Sequence, residues 1–114
     1  MIKVLCFDID NVICKTIKNK YNASEPNRRA IRLINNLYKR GFVIKLFTAR
    51  FMGRCKDNHR LASSKAKKIT LKQLKEWNVK YHNIFFGKPS YDILIDDKAL
   101  FFRKNWYKKL LTIL

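Results

Sequence analysis

A chain of 114 residues with 47% apolar composition can build one compact core but not two, so a single domain over residues 1–114 is expected. No stretch approaches the roughly 18 continuous apolar residues of a membrane helix, and Asp8 and Asp10 interrupt the apolar start before a signal peptide could be completed, so a cytoplasmic protein with no membrane partner is expected. The balance of 26 Lys and Arg against 8 Asp and Glu gives a formal charge of +18, a field that draws polyanions, yet the cations are scattered from Lys15 to Lys109 and match no nucleic-acid-binding module, so a nucleic-acid partner is not the favoured reading.

Ile2 to Phe7 is an apolar run rich in strand formers and predicts a buried strand ending at Asp8. Residues 11–23 are polar and irregular and suggest a short flap. Ser24 as N-cap, Pro26 in the first turn, apolar residues at helical spacing from Ala30 to Tyr38, and Gly41 as the stop predict a helix over 25–40. Phe42 to Phe47 predicts a second strand ending in Thr48. After a basic loop, Leu71, Leu74 and Trp77 mark an amphipathic helix, with Thr70 and Gln73 at capping-box spacing or an earlier start near Ser64. Tyr81 to Phe86 and Tyr91 to Ile95 predict third and fourth strands. A short tail, 98–114, is expected to pack Phe101, Phe102, Trp106, Leu110 and Leu111 on the sheet. Strands alternating with helices imply crossover connections, hence a mainly parallel sheet with helices on both faces. In such α/β folds the ligand site lies beyond the carboxyl ends of the strands, where Asp8, Thr48, Lys88 and Asp96 all fall.

Cys6, Cys14 and Cys55 form no Cys-x-x-Cys pair, which argues against a disulfide framework or thiolate zinc site. The acidic residues say more. Four of the eight stand as two close pairs, Asp8 with Asp10 and Asp96 with Asp97, each directly after an apolar run. Asp8 and Asp10 can share a pocket if the chain turns at the strand end, one carboxylate attacking phosphorus to give an acyl phosphate while the other carries protons. Standing alone, such a pair is more often a turn or capping pair. With Asp96 and Asp97 at the same sheet edge, four carboxylates would repel one another unless a cation lay among them, and a magnesium ion suits oxygen ligands of this type. Asp97 as a helix N-cap is compatible with that reading. Thr48 offers a hydroxyl, followed by backbone N–H groups at Ala49, for a phosphoryl oxygen, although a strand-end threonine in isolation is usually structural. Lys88, between Gly87 and Pro89, sits in a turn that fixes its direction and could neutralise both nucleophile and phosphate.

The strand with Asp8-x-Asp10, the strand-end Thr48, the Lys88-Pro89 turn and the strand with Asp96-Asp97 resemble motifs one to four of the haloacid dehalogenase superfamily, in order across nearly the whole chain. Phe47-Thr48-Ala49-Arg50, Met52-Gly53-Arg54 and Phe86 to Asp92 with Ile95 to Ala99 are similar to its small capsule- or surface-polysaccharide-biosynthesis phosphatases. That resemblance implies a Rossmannoid three-layer α/β/α sandwich and a magnesium-dependent phosphomonoester hydrolase acting on a small phosphorylated substrate, a sugar or a cell-surface polysaccharide precursor. Asp8 would be the phosphorylated nucleophile and a metal ligand. Asp10 would be the general acid/base and give its backbone carbonyl to the metal. Thr48, Ala49 and Lys88 would grip the phosphoryl group, and Asp96 would ligate magnesium with Asp97 assisting. The chain carries Phe51 where the related pattern has Gly. Residues 11–47 and 49–87 leave no room for a cap domain, so an open site is expected, which implies either a bulky substrate end or a homo-oligomer whose neighbour covers the pocket, with Lys15, Lys18, Lys20, Arg54 and Lys56 as a basic rim. Arg50 and Arg54 are read either as binders of a second anion or as solvated loop charges. Two alternatives remain: a phosphatase acting on nucleic-acid ends, which the charge favours, and a binding or regulatory protein without turnover.

Overall fold

The computed structural model describes residues 1–114. Three parallel strands, β1 (Val4–Asp8), β4 (Val43–Thr48) and β5 (Asn83–Phe86), form a sheet in the order β1-β4-β5, and a two-residue antiparallel ladder joins β2 (Cys14–Lys15) to β3 (Glu25–Pro26). The helices are α1 (Arg28–Lys39), α2 (His59–Glu76) and α3 (Trp106–Ile113).

The β1 to β4 crossover contains α1, and the β4 to β5 crossover contains α2, as parallel pairing requires. Both helices stop in the same way. After α1, Gly41 takes φ +96°, and the Phe42 N–H reaches back to the Leu37 carbonyl. After α2, Asn78 takes φ +58°, and the Val79 N–H reaches the Leu74 carbonyl. These are Schellman stops, and each satisfies end carbonyls while turning the chain straight toward the next strand.

Alternation along the strands sets the faces. Phe7, Ile44 and Leu46 are buried and join Ile31, Ile34 and Leu37 of α1, Leu74 and Trp77 around the end of α2, and Trp106 and Leu110 of α3 in one core. The opposite pleat carries Val4 and Cys6, both exposed, together with Phe85 at 48% exposed. The expectation of helices on both faces is therefore corrected: one face holds the core and the other is open.

Three further expectations change. Tyr91 to Ile95 forms no strand; Ile93 and Ile95 are 81% and 95% exposed, because the run has no ladder partner and no apolar surface against it. Helix α1 begins at Arg28 and is capped by Asn27, whose Oδ1 accepts from the Ala30 N–H, since Glu25 and Pro26 are held in the ladder with Cys14 and Lys15. Helix α2 begins at His59 under an Asn58 cap, so Thr70 and Gln73 lie in its interior. In the tail, Trp106 and Leu110 are buried as expected, but Phe101, Phe102 and Leu111 are exposed. No helix is long and apolar enough to cross a membrane.

Candidate active site

The carboxyl ends of β1, β4 and β5 stand side by side, with Asp8 paired to Phe47 and Thr48 to Phe86. Beyond β1 the chain turns at once. The N–H groups of Val12, Ile13 and Cys14 all return to the Ile9 carbonyl, and Asn11 takes φ +66°, a conformation Asn tolerates better than most residues. This turn lets two carboxylates separated by one residue serve neighbouring positions.

Asp8 Oδ1 accepts the Ile9 N–H at 2.8 Å, and Oδ2 faces Lys88 Nζ at 3.2 Å. Lys88 is delivered by a pinned turn. Its backbone N–H donates to the Thr48 carbonyl at 3.0 Å, and Asp57 Oδ1 accepts the Ser90 N–H at 3.2 Å. Gly87 takes φ +88°, and a Cβ there would meet the His59 ring, with Nε2 at 2.6 Å. Gly87→Ala is therefore expected to destabilise the fold by roughly 1–2 kcal/mol through its backbone conformation and to displace Lys88. Urea unfolding checks the first effect. Adding His59→Ala should relieve the crowding but not the backbone cost.

Burial pushes the Asp8 carboxyl above its ordinary value, outweighing the nearby Lys88 ammonium and the Ile9 N–H, while the charge of Asp10 pushes the same way. For Lys88, burial alone would lower the ammonium, but hydrogen bonding to Tyr91 and the charge and bond of Asp8 outweigh it and raise the value.

Asp10 faces a second network. Its Oδ1 accepts from Thr16 Oγ1 at 2.6 Å and Arg50 Nη2 at 3.0 Å, and Arg50 Nε lies 3.2 and 3.1 Å from its two oxygens. Arg50 was readable as a solvated loop charge; it is 2% exposed. Thr48 is fully buried, and its Oγ1 accepts the Arg50 N–H at 3.0 Å, which fixes the loop rather than presenting the hydroxyl to solvent. The N–H groups of Asp10 and Ala49 donate to no protein acceptor, which leaves two backbone donors at the strand ends. Phe51 takes φ +66°, so it adopts the left-handed backbone that the glycine of the related pattern would reach more easily, with its ring 4.9 Å from that of Tyr21.

Asp8, Asp10, Thr48 and Lys88 are thus linked within one strand-end region. Asp96 and Asp97 are not joined to them. Asp96 Oδ1 accepts the Lys98 N–H at 2.8 Å, residues 91–99 are exposed, and no three acidic, His or Cys side chains converge as a metal cluster. The four-carboxylate cage expected from the sequence is not formed here, and of its members only Asp8 and Asp10 remain near one another. The physical reason is local: Asp8 and Asp10 are each countered by a protein cation, while the segment bearing Asp96 has no strand to hold it. His59 packs on Gly87. A cleft of about 320 Å³ lies beside the flap, lined by Lys15, Ile17, Lys20, Ala23 and Glu25. None of Asp8, Asp10, Thr48 and Lys88 lines it, and Arg54 folds back to donate to the Asn19 carbonyl.

No protein-family model matches the chain, and no curated protein matches it. Among solved structures, the chain is similar to a crystal structure of a target protein from Vibrio cholerae, with a TM-score of 0.74 and 23% identity over 98% of each chain. That likeness shows that the two chains share a small α/β fold, with a mainly parallel sheet, over almost their entire lengths.

Proposed function

We propose that the chain is a capless phosphomonoester hydrolase of the haloacid dehalogenase type, with Asp8 as the nucleophile and Asp10 as the proton carrier. The observation that supports this best is the Asp8–Lys88 pair at 3.2 Å, which places a partly exposed carboxylate beside a fixed ammonium at the carboxyl edge of parallel strands. A phosphoryl group seated there would meet the Lys88 charge and the uncommitted N–H groups of Asp10 and Ala49. Asp8 would displace the ester oxygen, and Asp10 would supply the proton that this oxygen needs and later take one from water.

Magnesium belongs to the same proposal, supported by the motif resemblance and not by the present arrangement of Asp96 and Asp97. A phosphorylated sugar or surface-polysaccharide precursor, in a cytoplasmic setting, is the substrate class the resemblance suggests. The formal charge of +18 favours a second reading, phosphate removal from nucleic-acid ends. The separation of Asp96 and Asp97 from the first pair favours a third, a binding protein without turnover.

The test is release of inorganic phosphate from 4-nitrophenyl phosphate, sugar phosphates and end-phosphorylated oligonucleotides, with magnesium and with chelator. Turnover that chelator removes is expected. Turnover unaffected by chelator would refute the metal dependence, and inactivity on every class would leave the binding reading standing.

A further inference from the structure

Arg50 is the only buried charged side chain in a protein whose other cations are partly or fully exposed. Burying a guanidinium is costly unless every donor finds a partner. Here all five N–H groups have one: Nε and Nη2 on Asp10, Nη1 on Thr70 Oγ1 at 3.2 Å and Gln73 Oε1 at 2.6 Å, and the second Nη2 hydrogen within reach of Ser24 Oγ at 3.4 Å. The partners come from the turn after β1, the end of the flap and the interior of α2. Gln73 is itself tied to the flap, its Nε2 donating to the Tyr21 carbonyl at 2.6 Å. A buried ion pair is weak evidence for stability, since an apolar replacement of the same size is often as good. What this arrangement does specify is the direction of one carboxylate.

The two Asp10 oxygens are treated unequally. Oδ1 accepts from Thr16 Oγ1, Arg50 Nη2, the edge of Arg50 Nε and, weakly, Cys14 Sγ at 3.7 Å, so its lone pairs are taken. Oδ2 accepts only from Arg50 Nε, at 3.1 Å, which leaves a lone pair free.

We infer that Arg50 is the positioning residue for Asp10: it clamps the carboxylate, backed by Thr70 and Gln73, so that Oδ2 is the oxygen that moves protons. This inference rests on the phosphatase reading of Asp8 and Asp10. In the first half-reaction an Asp8 oxygen bonds to phosphorus, the bond from phosphorus to the ester oxygen breaks, and the proton on Asp10 Oδ2 passes to the departing alkoxide. In the second half-reaction water bonds to phosphorus and gives its proton to Oδ2. The bond to Asp8 breaks, releasing inorganic phosphate and restoring the Asp8 carboxylate.

The leaving group separates a positioning role from a merely structural one. A nitrophenolate departs without a proton, whereas an alkoxide needs one. In the full chain, Arg50→Lys keeps the charge but loses the planar fork. It is expected to lower kcat/KM for glycerol 2-phosphate by about 100-fold, the scale of general acid catalysis, and to lower kcat/KM for 4-nitrophenyl phosphate much less. Added guanidinium should restore part of the alkyl-phosphate activity of Arg50→Ala. Gln73→Met withdraws the bond to Arg50 Nη1 and the tie to the Tyr21 carbonyl without touching Asp10, and should shift the alkyl-to-aryl ratio in the same direction by a smaller factor. It serves if the Arg50 variants do not fold. Equal losses on both substrates, an unchanged ratio in Gln73→Met, or wild-type activity in Arg50→Lys would overturn the inference while the phosphatase reading stands. A wild-type chain inactive on both esters would refute the reading, and this inference with it.

Discussion

Asp8→Asn is expected to cut phosphate release by at least about 1,000-fold, the scale seen when a covalent nucleophile is removed, and to leave the fold in place. The exchange is nearly isosteric. Asn Oδ1 can still accept the Ile9 N–H that Asp8 Oδ1 now holds at 2.8 Å. At the other atom the carboxylate oxygen becomes an amide donor facing Lys88 Nζ, so the ammonium must turn toward water. Asp8 is 36% exposed at its side chain, which gives the ammonium that route. The stability cost is therefore small, while the proposed chemistry loses its attacking atom. Steady-state phosphate release measures the loss of turnover, urea unfolding checks that the fold is kept, and acid-quenched protein, analysed for mass added at Asp8 after brief exposure to substrate, reports the covalent step. Wild-type chain should carry the phosphoryl adduct and the variant should not. Activity within tenfold of wild type would remove Asp8 from the mechanism.

How far the sequence could be read depended on the range of the interactions involved. The strand ending in Asp8, the strand ending in Thr48 and the turn bearing Lys88 were legible because each is an apolar run closed by a polar group within a few residues. The Asp8–Lys88 contact followed once parallel order aligned the strand ends. Arg50 was not legible, because its burial depends on Asp10, Ser24, Thr70 and Gln73, which meet only in three dimensions. One signal was present: in α2, Thr70 and Gln73 follow Ala62 and Ala66 on the buried face that Leu74 also shares, and polar residues on an apolar stripe need a buried partner. Reading them as a capping box looked for that partner in the helix backbone instead. The opposite failure occurred at Tyr91 to Ile95, where strand propensity was high but propensity names no neighbour. Likewise Ser24 has capping chemistry, yet its hydroxyl lies 2.6 Å from Thr16 Oγ1 and within reach of Arg50, and Asn27 caps the helix instead.

Lys88→Met should produce the second large effect, a loss of about 100- to 1,000-fold in kcat/KM, as when an electrostatic stabiliser of the transition state is removed, together with a change in pH dependence that a simple loss of binding would not cause. In the proposed mechanism Asp8 must be ionised to attack. Burial already raises its carboxyl above the ordinary value, and the Lys88 ammonium is the largest influence opposing that rise. Without it the carboxyl rises further, so the acid limb of the rate profile should move to higher pH. A profile that falls in height but keeps its acid limb would separate Lys88 from the ionisation of Asp8. The same coupling has a sign in stability. A carboxyl raised in the folded state binds its proton more tightly there than in the unfolded chain, so its contribution is most favourable below the unfolded value of 3.8 and is lost as pH rises through the folded value. Lys88→Met deepens the cost of the ionised form, and should therefore destabilise the protein more at neutral pH than in acid. Adding Asp8→Asn removes the ionising group, so the double variant should be more stable than Lys88→Met at neutral pH and should lose that advantage in acid, a difference that urea unfolding at two pH values can read.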